Sequence, residues 1–178
     1  QQQMGALDAF LRAGLKEDVP FQDSMDLSLP LTIAALLGRA DYLERLLAAG
    51  HSPNGLGPGT PSPLSILAAR RQGGEDNPVY LPFALLRPCL TLLLKAGADP
   101  NQPAEEGWLP LQLAASASDL DMAVALLNAG ANPNGKANGV AKQPGPRFTP
   151  LAWASLRNDW RMVELLLERG GRWMSRVE

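Results

Sequence analysis

Four times along the chain, an apolar segment that opens with a proline is followed by a second apolar segment that closes on a leucine pair and a glycine. Proline is tolerated in the first turn of a helix, and glycine is favoured just beyond a helix end. Both segments are therefore predicted to be helices with defined boundaries, so the pattern predicts four helical hairpins. The opening tetrapeptides are 29–32, 62–65, 109–112 and 149–152, and the closing pentapeptides are 46–50, 93–97, 126–130 and 166–170.

The four copies recur with a base period of 33 residues. The key prolines, Pro30, Pro63, Pro110 and Pro150, lie 33, 47 and 40 residues apart. From proline to leucine pair the distance is 16 residues, except in the second copy, where it is 30, so that copy carries 14 additional residues. The 40-residue interval indicates a second insertion of 7 residues in the stretch 134–148. A period of this length is typical of a stacked helical repeat array.

A recurring motif of glycine, a small residue, a polar residue, proline and asparagine follows the second helix at 97–101 and 130–134, with a weaker copy at 50–54. In these motifs and this period the sequence resembles the ankyrin repeat family. The resemblance implies an all-α repeat fold: an ankyrin solenoid of helix-turn-helix repeats with short β-hairpin fingers, with four repeats and an N-terminal half repeat in a single domain, 1–178. The parts are an N-terminal capping helix and loop (1–27), repeat 1 (28–57), repeat 2 (58–104, with the insertion 71–88), repeat 3 (105–146, with a long finger) and repeat 4 with the C-terminal cap (147–178).

The apolar positions also predict how each copy packs. Paired small residues after each proline let the inner helices approach closely, and the leucine pairs form an apolar stripe on which Trp153 and Trp160 fall, so both are predicted to be core. The insertion 71–88 is expected to add a turn or two to the outer helix of repeat 2, and Trp173 to close the end of the stack. The last outer helix should be polar on one side because it carries Arg161, Glu164, Glu168 and Arg172.

The start of each inner helix departs from the family in one respect. Ser62 and Thr149, just before their prolines, are predicted to cap the helix. The histidine that the family usually has in the opening tetrapeptide is replaced in every copy, so weaker hydrogen bonding between repeats is expected. The replacements are Thr32, Ser65, Gln112 and Ala152.

Composition and charge exclude several classes of protein. The 178 residues are 46% hydrophobic, which is enough for one domain, and a net charge of −2 gives no general attraction to nucleic acid. A single cysteine excludes an internal disulfide, and no apolar run is long enough to cross a bilayer. Because the chain begins with Gln1, we expect a trimmed sequence or a removed leader. Its richness in Ala, Leu, Gly, Pro and Arg fits a bacterial source, with cytoplasm and periplasm both open.

Candidate catalytic and metal-binding residues are few. His51 lies in a finger entrance and Cys89 in a predicted outer helix, so we interpret them as a loop residue and a packing residue rather than as a base and nucleophile. No His, Cys or carboxylate cluster has the spacing of metal ligands, and neither metal nor cofactor is expected. The segment 130–137 approaches a phosphate-binding loop, but Ala137 replaces the Ser or Thr that would hold magnesium and Pro133 lacks an amide.

The resemblance implies that a partner protein contacts the finger tips and the exposed side of the inner helices. Trp108 and Phe148 precede inner helices at positions that normally face the groove, where aromatic side chains are favoured anchors. Packing on the neighbouring finger is the alternative for both. The Gly- and Pro-rich stretch 134–148 is a further expected contact. The predicted partner-binding residues are Asp26, Leu36, Leu37, Arg70, Arg71, Glu105, Glu106, Trp108, Ser116, Arg147, Phe148, Leu156 and Arg157.

The sequence therefore predicts a non-enzymatic protein–protein interaction module that is monomeric when unbound. Its most specific version is an inhibitor or immunity protein of a toxin or secreted effector, and a regulator or scaffold of an endogenous enzyme is the alternative. Acid–base catalysis by Glu105 and Glu106 is a remote alternative, since adjacent carboxylates on a finger are poorly oriented. Nucleic-acid binding by the basic last finger, which carries Lys136, Lys142 and Arg147 without acidic residues, is another, and it predicts strong salt dependence.

Overall fold

The computed structural model describes residues 29–55, 62–69, 83–104, 107–135 and 148–172. Within these ranges the chain forms eight α-helices and no strands. The helices pair in sequence, an inner and an outer helix in each repeat. They are α1 (Leu29–Leu36) and α2 (Ala40–Ala48), α3 (Pro63–Ala69) and α4 (Phe83–Lys95), α5 (Pro110–Ser116) and α6 (Leu120–Asn128), and α7 (Pro150–Leu156) and α8 (Trp160–Glu168).

The inner helices begin where the prolines predict. The hydroxyl of Ser62 accepts the backbone N–H of Ser65 (3.0 Å), and that of Thr149 accepts the N–H of Ala152 (3.2 Å), so both predicted caps are confirmed. At α5 the side chain of Gln112 accepts the N–H of Leu109 from inside the first turn (2.9 Å). Each of these contacts satisfies an amide that the helix itself leaves without a partner.

The outer helices end at the predicted glycines. After α6, for example, Gly130 has φ +91°, and the N–H of Ala131 donates to the Leu126 carbonyl oxygen (2.9 Å), which closes the helix end. A Cβ on Gly130 would meet no atom within 4 Å, so glycine is favoured at this position for its backbone conformation and not for lack of space.

The core runs continuously through the four helix pairs. The inner helices stack α1 on α3, α3 on α5 and α5 on α7, and outer helices meet at α2 with α4 and α6 with α8. Small residues lie completely buried at the inner contacts, as the sequence predicts. These are Ala34, Ala35, Ala68, Ala114, Ala115 and Ala154, and the leucines that surround them include Leu43, Leu46, Leu93 and Leu126.

The insertion in repeat 2 lengthens its outer helix. Helix α4 has 13 residues, whereas α2, α6 and α8 have nine each. The four extra residues make about one turn, which confirms the expected extension. Cys89 lies within α4 and is fully buried, in agreement with its interpretation as a packing residue.

The prediction for Trp160 is wrong. Its side chain is 66% exposed on α8, and Leu167 on the same helix is also exposed, so the last outer helix is not uniformly polar on its outer side. Trp153 is partly buried against the core. The apolar stripe of α8 is wider than the surface that α6 and α7 cover, which is why the pattern alone misplaced Trp160.

Asparagine side chains link successive finger entrances. The side-chain amide of Asn101 donates to the Gly130 carbonyl oxygen (3.1 Å), and its side-chain oxygen accepts the N–H of Asn132 (2.7 Å). The same pair of bonds joins Asn54 to the finger entrance of repeat 2 and Asn134 to the residues that follow α8. The partners are Gly97 (3.3 Å) and Asp99 (2.7 Å) for Asn54, and Gly170 (3.2 Å) and Arg172 (2.8 Å) for Asn134.

We call these three residues the asparagine ladder. The bonds of the ladder join finger residues that form turns. The expected β-hairpin strands are not seen in the described parts of the fingers. Of the four residues at the family's histidine position, Gln112 does join two repeats, because its amide donates to the Phe148 carbonyl oxygen of the next repeat (2.9 Å). Backbone groups of adjacent repeats are thus joined at the fingers and at the start of α5.

Candidate binding face

Three aromatic side chains meet where the fingers join the inner helices of repeats 3 and 4. The ring of Trp153, on α7, lies 5.3 Å from that of Trp108 at an interplanar angle of 34°, and 5.6 Å from that of Phe148 at 78°. Trp108 and Phe148 each stand two residues before the proline of their inner helix, one repeat apart. We call these three residues the aromatic cluster.

Hydrogen bonds hold the backbone of the two residues that precede the inner helices. The Trp108 carbonyl oxygen accepts the N–H of Ala104 (2.6 Å), which closes the chain just before α5. The Phe148 carbonyl oxygen accepts from the Gln112 side chain, so Gln112 holds the backbone that carries the Phe148 ring. Trp153 is held by its place on α7. The cluster is therefore preorganised by two adjacent repeats.

The cluster combines packing with exposure. Phe148 is 50% exposed and Trp108 is partly exposed, while both contact Trp153. Each ring thus packs on Trp153 of an inner helix and leaves part of its surface to solvent, and the groove-facing role of Trp108 and Phe148 stays a prediction. Aromatic pairs of this geometry gain about 0.5–1.5 kcal/mol beyond their buried area.

The indole nitrogen of Trp153 is buried and has no hydrogen-bond partner within the part of the chain that the structure describes. Trp153 therefore brings a buried polar group to the cluster, which the sequence interpretation of Trp153 as plain core did not anticipate.

The other predicted contact residues fall into three groups. Leu36 and Leu37, at the end of α1, are partly exposed, and Leu156 and Arg157, at the end of α7, are exposed. Ser116, at the end of α5, is only 5% exposed and its hydroxyl donates to the Leu113 carbonyl oxygen (2.9 Å), so it offers a partner little surface. Outside the described residues lie Asp26, Arg70, Arg71, Glu105, Glu106 and Arg147.

We use the name binding face for the predicted residues that the structure leaves accessible. They belong to the C-terminal ends of α1 and α7 and to the residues that precede α5 and α7. Most are apolar, with one exposed guanidinium among them. The binding face consists of Leu36, Leu37, Trp108, Phe148, Leu156 and Arg157.

Two groups in the described residues have shifted pKa values, and neither belongs to the binding face. Burial raises the pKa of the Cys89 thiol to about 11, so it stays protonated at neutral pH and is a poor nucleophile. The hydrogen bond from Arg39 lowers the pKa of the Asp41 carboxyl at the start of α2. These shifts have structural causes, burial in one case and a local ion pair in the other.

Within the described ranges, no group of three or more His, Cys, Asp or Glu side chains is arranged to hold a metal ion. No described helix is both long enough and apolar enough to span a membrane.

The stacked helix pairs, their glycine-terminated outer helices and the ladder at the fingers define a helical repeat protein. A family model for ankyrin repeats (3 copies) matches residues 83–176, more than half of the chain, and the chain belongs to the ankyrin repeat family. No curated protein matches it. Repeats of this family generally mediate protein–protein interaction.

Proposed function

We propose that this protein is a non-enzymatic module that binds a partner protein through the binding face and the neighbouring fingers. The aromatic cluster supports this proposal most strongly. Residues that dominate interface energies are often aromatic or arginine, and they lie in well-packed surroundings from which water can be excluded. Phe148 and Trp108 have that setting, and Arg157 adds a charged donor nearby.

Preorganisation supports the same proposal. Binding costs less when the contacting groups are ordered before the partner arrives. The Gln112 bond to Phe148 and the asparagine ladder order two adjacent repeats in the free protein. A partner would therefore bind a surface that is already ordered, and less of the binding free energy would be lost in ordering side chains and loops.

The specific version that we propose is an inhibitor or immunity protein of a bacterial toxin or secreted effector. A small array with irregular insertions and an ordered apolar face suits tight capture of one target. A regulator or scaffold of an endogenous enzyme is the alternative. It predicts a partner whose gene does not lie near the gene of this protein, and a complex in which the partner remains active. Bacterial cytoplasm and periplasm remain open as compartments.

A pull-down with matched double variants tests the proposal. The first variant, Phe148→Ala with Arg157→Ala, removes an aromatic ring and a guanidinium from the binding face. The control, Leu85→Ala with Arg87→Ala, removes an exposed hydrophobic side chain and a guanidinium from α4, away from that face. We expect wild type and control to recover the same protein from the native source and the first variant to lose it, with all three folded by circular dichroism.

Two results would count against the proposal. Equal recovery of one partner by both double variants would mean that the binding face is not used. Recovery of nucleic acid, released by moderate salt and not by the loss of Phe148, would favour the basic last finger as the functional element. If a protein is captured, growth in its presence with and without this chain distinguishes an immunity role from a scaffold role.

A further inference from the structure

Repeat 4 carries three large apolar side chains that are exposed at the end of the stack. They are Leu156 at the end of α7, and Trp160 and Leu167 on α8, with exposed fractions of 64%, 66% and 48%. Trp160 and Leu167 share one side of α8, because seven residues complete about two helical turns. We call these three residues the end face.

Repeat 3 shows what this side of a repeat does within the array. The equivalents of the end face are Ser116, Leu120 and Leu127. Ser116 and Leu127 are only 5% and 9% exposed, and Leu120 packs against the core. They are covered because α5 packs on α7 and α6 packs on α8. The end face is thus one more copy of the surface through which repeats stack, and no described residues cover it.

We propose that a second copy of this chain covers the end face, through two-fold pairing of α8 with α8 of the copy. Contiguous exposed apolar surface commonly marks an interaction site, and a two-fold dimer brings the same surface of both chains together. Head-to-tail stacking would require a matching apolar surface on repeat 1, and the side chains described there, residues 31–55, include no exposed large hydrophobic residue. This proposal departs from the sequence-based prediction of a chain that is monomeric when unbound.

The charges at the two ends of α8 fit an antiparallel pairing, whereas Glu164 at its middle would face Glu164 of the copy. Arg161 near the start of the helix and Glu168 at its end are both exposed and lie on the same flank of the apolar side. Antiparallel pairing sets Trp160 against Leu167 of the copy and brings each Arg161 toward the copy's Glu168. The guanidinium of Arg161 already lies 5.3 Å from the centre of the Trp160 ring, so the two groups enter such an interface together.

Sedimentation velocity between about 5 and 500 µM tests the proposal, since small interfaces give weak dimers. We expect wild type to pass from monomer to dimer across this range. Leu167→Glu should weaken dimerisation at least about a hundredfold, because the dimer contains each substitution twice and loses an apolar contact each time. The control is Leu85→Glu, the same change at a leucine of α4 that is 55% exposed, and it should leave dimerisation unchanged.

A cysteine cross-link supplies a second measurement that does not depend on the stability of Leu167→Glu. Glu164 lies midway between Trp160 and Leu167 on α8, so Glu164→Cys should form a covalent dimer under mild oxidation. Arg87→Cys, exposed on α4, should not, and the native Cys89 is buried and does not compete.

Four results would overturn the proposal. A wild-type chain that stays monomeric to the highest concentration would show that no second copy covers the end face. Masses that grow beyond a dimer would indicate head-to-tail stacking, and equal weakening by Leu167→Glu and Leu85→Glu would indicate nonspecific association. A dimer that Glu164→Cys does not cross-link would exclude the α8 pairing. None of these outcomes depends on the proposed binding partner.

Discussion

Removing one step of the asparagine ladder should measure how strongly adjacent repeats are joined at their fingers. Asn101→Ala deletes a donor to the Gly130 carbonyl oxygen (3.1 Å) and an acceptor for the Asn132 N–H (2.7 Å). A typical hydrogen bond contributes about 0.5–1.5 kcal/mol net, which gives about 1–3 kcal/mol for two. Because Gly130 is exposed and water can replace part of the loss, we expect about 1–2 kcal/mol.

Urea denaturation followed by circular dichroism provides the assay, with the free energy of unfolding obtained at constant m. For a chain of this size the expected loss corresponds to a Tm lower by about 2–8 °C. The matched control is Asn128→Ala on α6, where an exposed side chain accepts a single bond from Arg169 (3.0 Å), and its effect should stay within about 0.5 kcal/mol. If Asn101→Ala changes stability no more than Asn128→Ala does, the ladder does not couple the repeats and our reasoning on preorganisation fails.

Three further predictions concern backbone strain, packing and protonation at single positions. Ser118 has φ +54° in the turn after α5, a backbone conformation that strains a non-glycine residue, and repeat 1 has Gly38 at this position. Ser118→Gly should therefore raise the free energy of unfolding, measured by urea titration, by about 0.5–1 kcal/mol. A decrease would contradict the inferred strain. Ser116→Leu should destabilise the protein by about 1–3 kcal/mol because repeat 4 covers this position. Leu156→Ser, at the equivalent position that repeat 4 leaves exposed, should cost less than about 0.5 kcal/mol at concentrations where the chain is monomeric. Equal effects of the two substitutions would contradict the stacking order. Burial raises the pKa of Cys89 to about 11 from an ordinary value of 9.0, so the folded state is stabilised while the thiol is protonated. The contribution of Cys89 to the free energy of unfolding is complete below pH 9, and about 2–3 kcal/mol of it should be lost between pH 9 and 11. Cys89→Ala should not show this loss, and identical pH profiles for the two proteins would refute the prediction.

The boundaries of the helices could be predicted because each depends on residues within one or two turns. Pro110 and Thr149 fix helix starts through the missing amide and the capping hydroxyl, and Gly130 fixes a helix end through its positive φ. These determinants are local in the chain. A 33-residue period then adds the stacking order, since equivalent faces of successive repeats must meet.

The ladder could not be predicted because its partners are distant in sequence. Asn101 contacts residues about 30 positions away, and the Pro-Asn motif by itself indicates only a turn. The recurrence of that asparagine at 54, 101 and 134 was the available signal. Gln112 is a similar case: its role at Phe148 depends on how repeat 4 sits on repeat 3.

The candidate site was predicted in part, and the exposed aromatic residues show why. The sequence identifies Trp108 and Phe148 by their place before an inner helix, but their contact with Trp153 joins two repeats and requires three-dimensional positions. Trp160 was misplaced for a related reason. An apolar stripe shows which side of α8 is hydrophobic, and it does not show whether another layer covers that side.

Hydrogen exchange on the complex with a captured partner tests the central claim most directly, because it maps which surface of the array is covered. The account predicts slower exchange in peptides that span 107–117 and 148–158, which contain the aromatic cluster and Arg157, and unchanged exchange across 85–95 in α4. Protection confined to the outer helices, with the peptides around Trp108 and Phe148 unchanged, would contradict it.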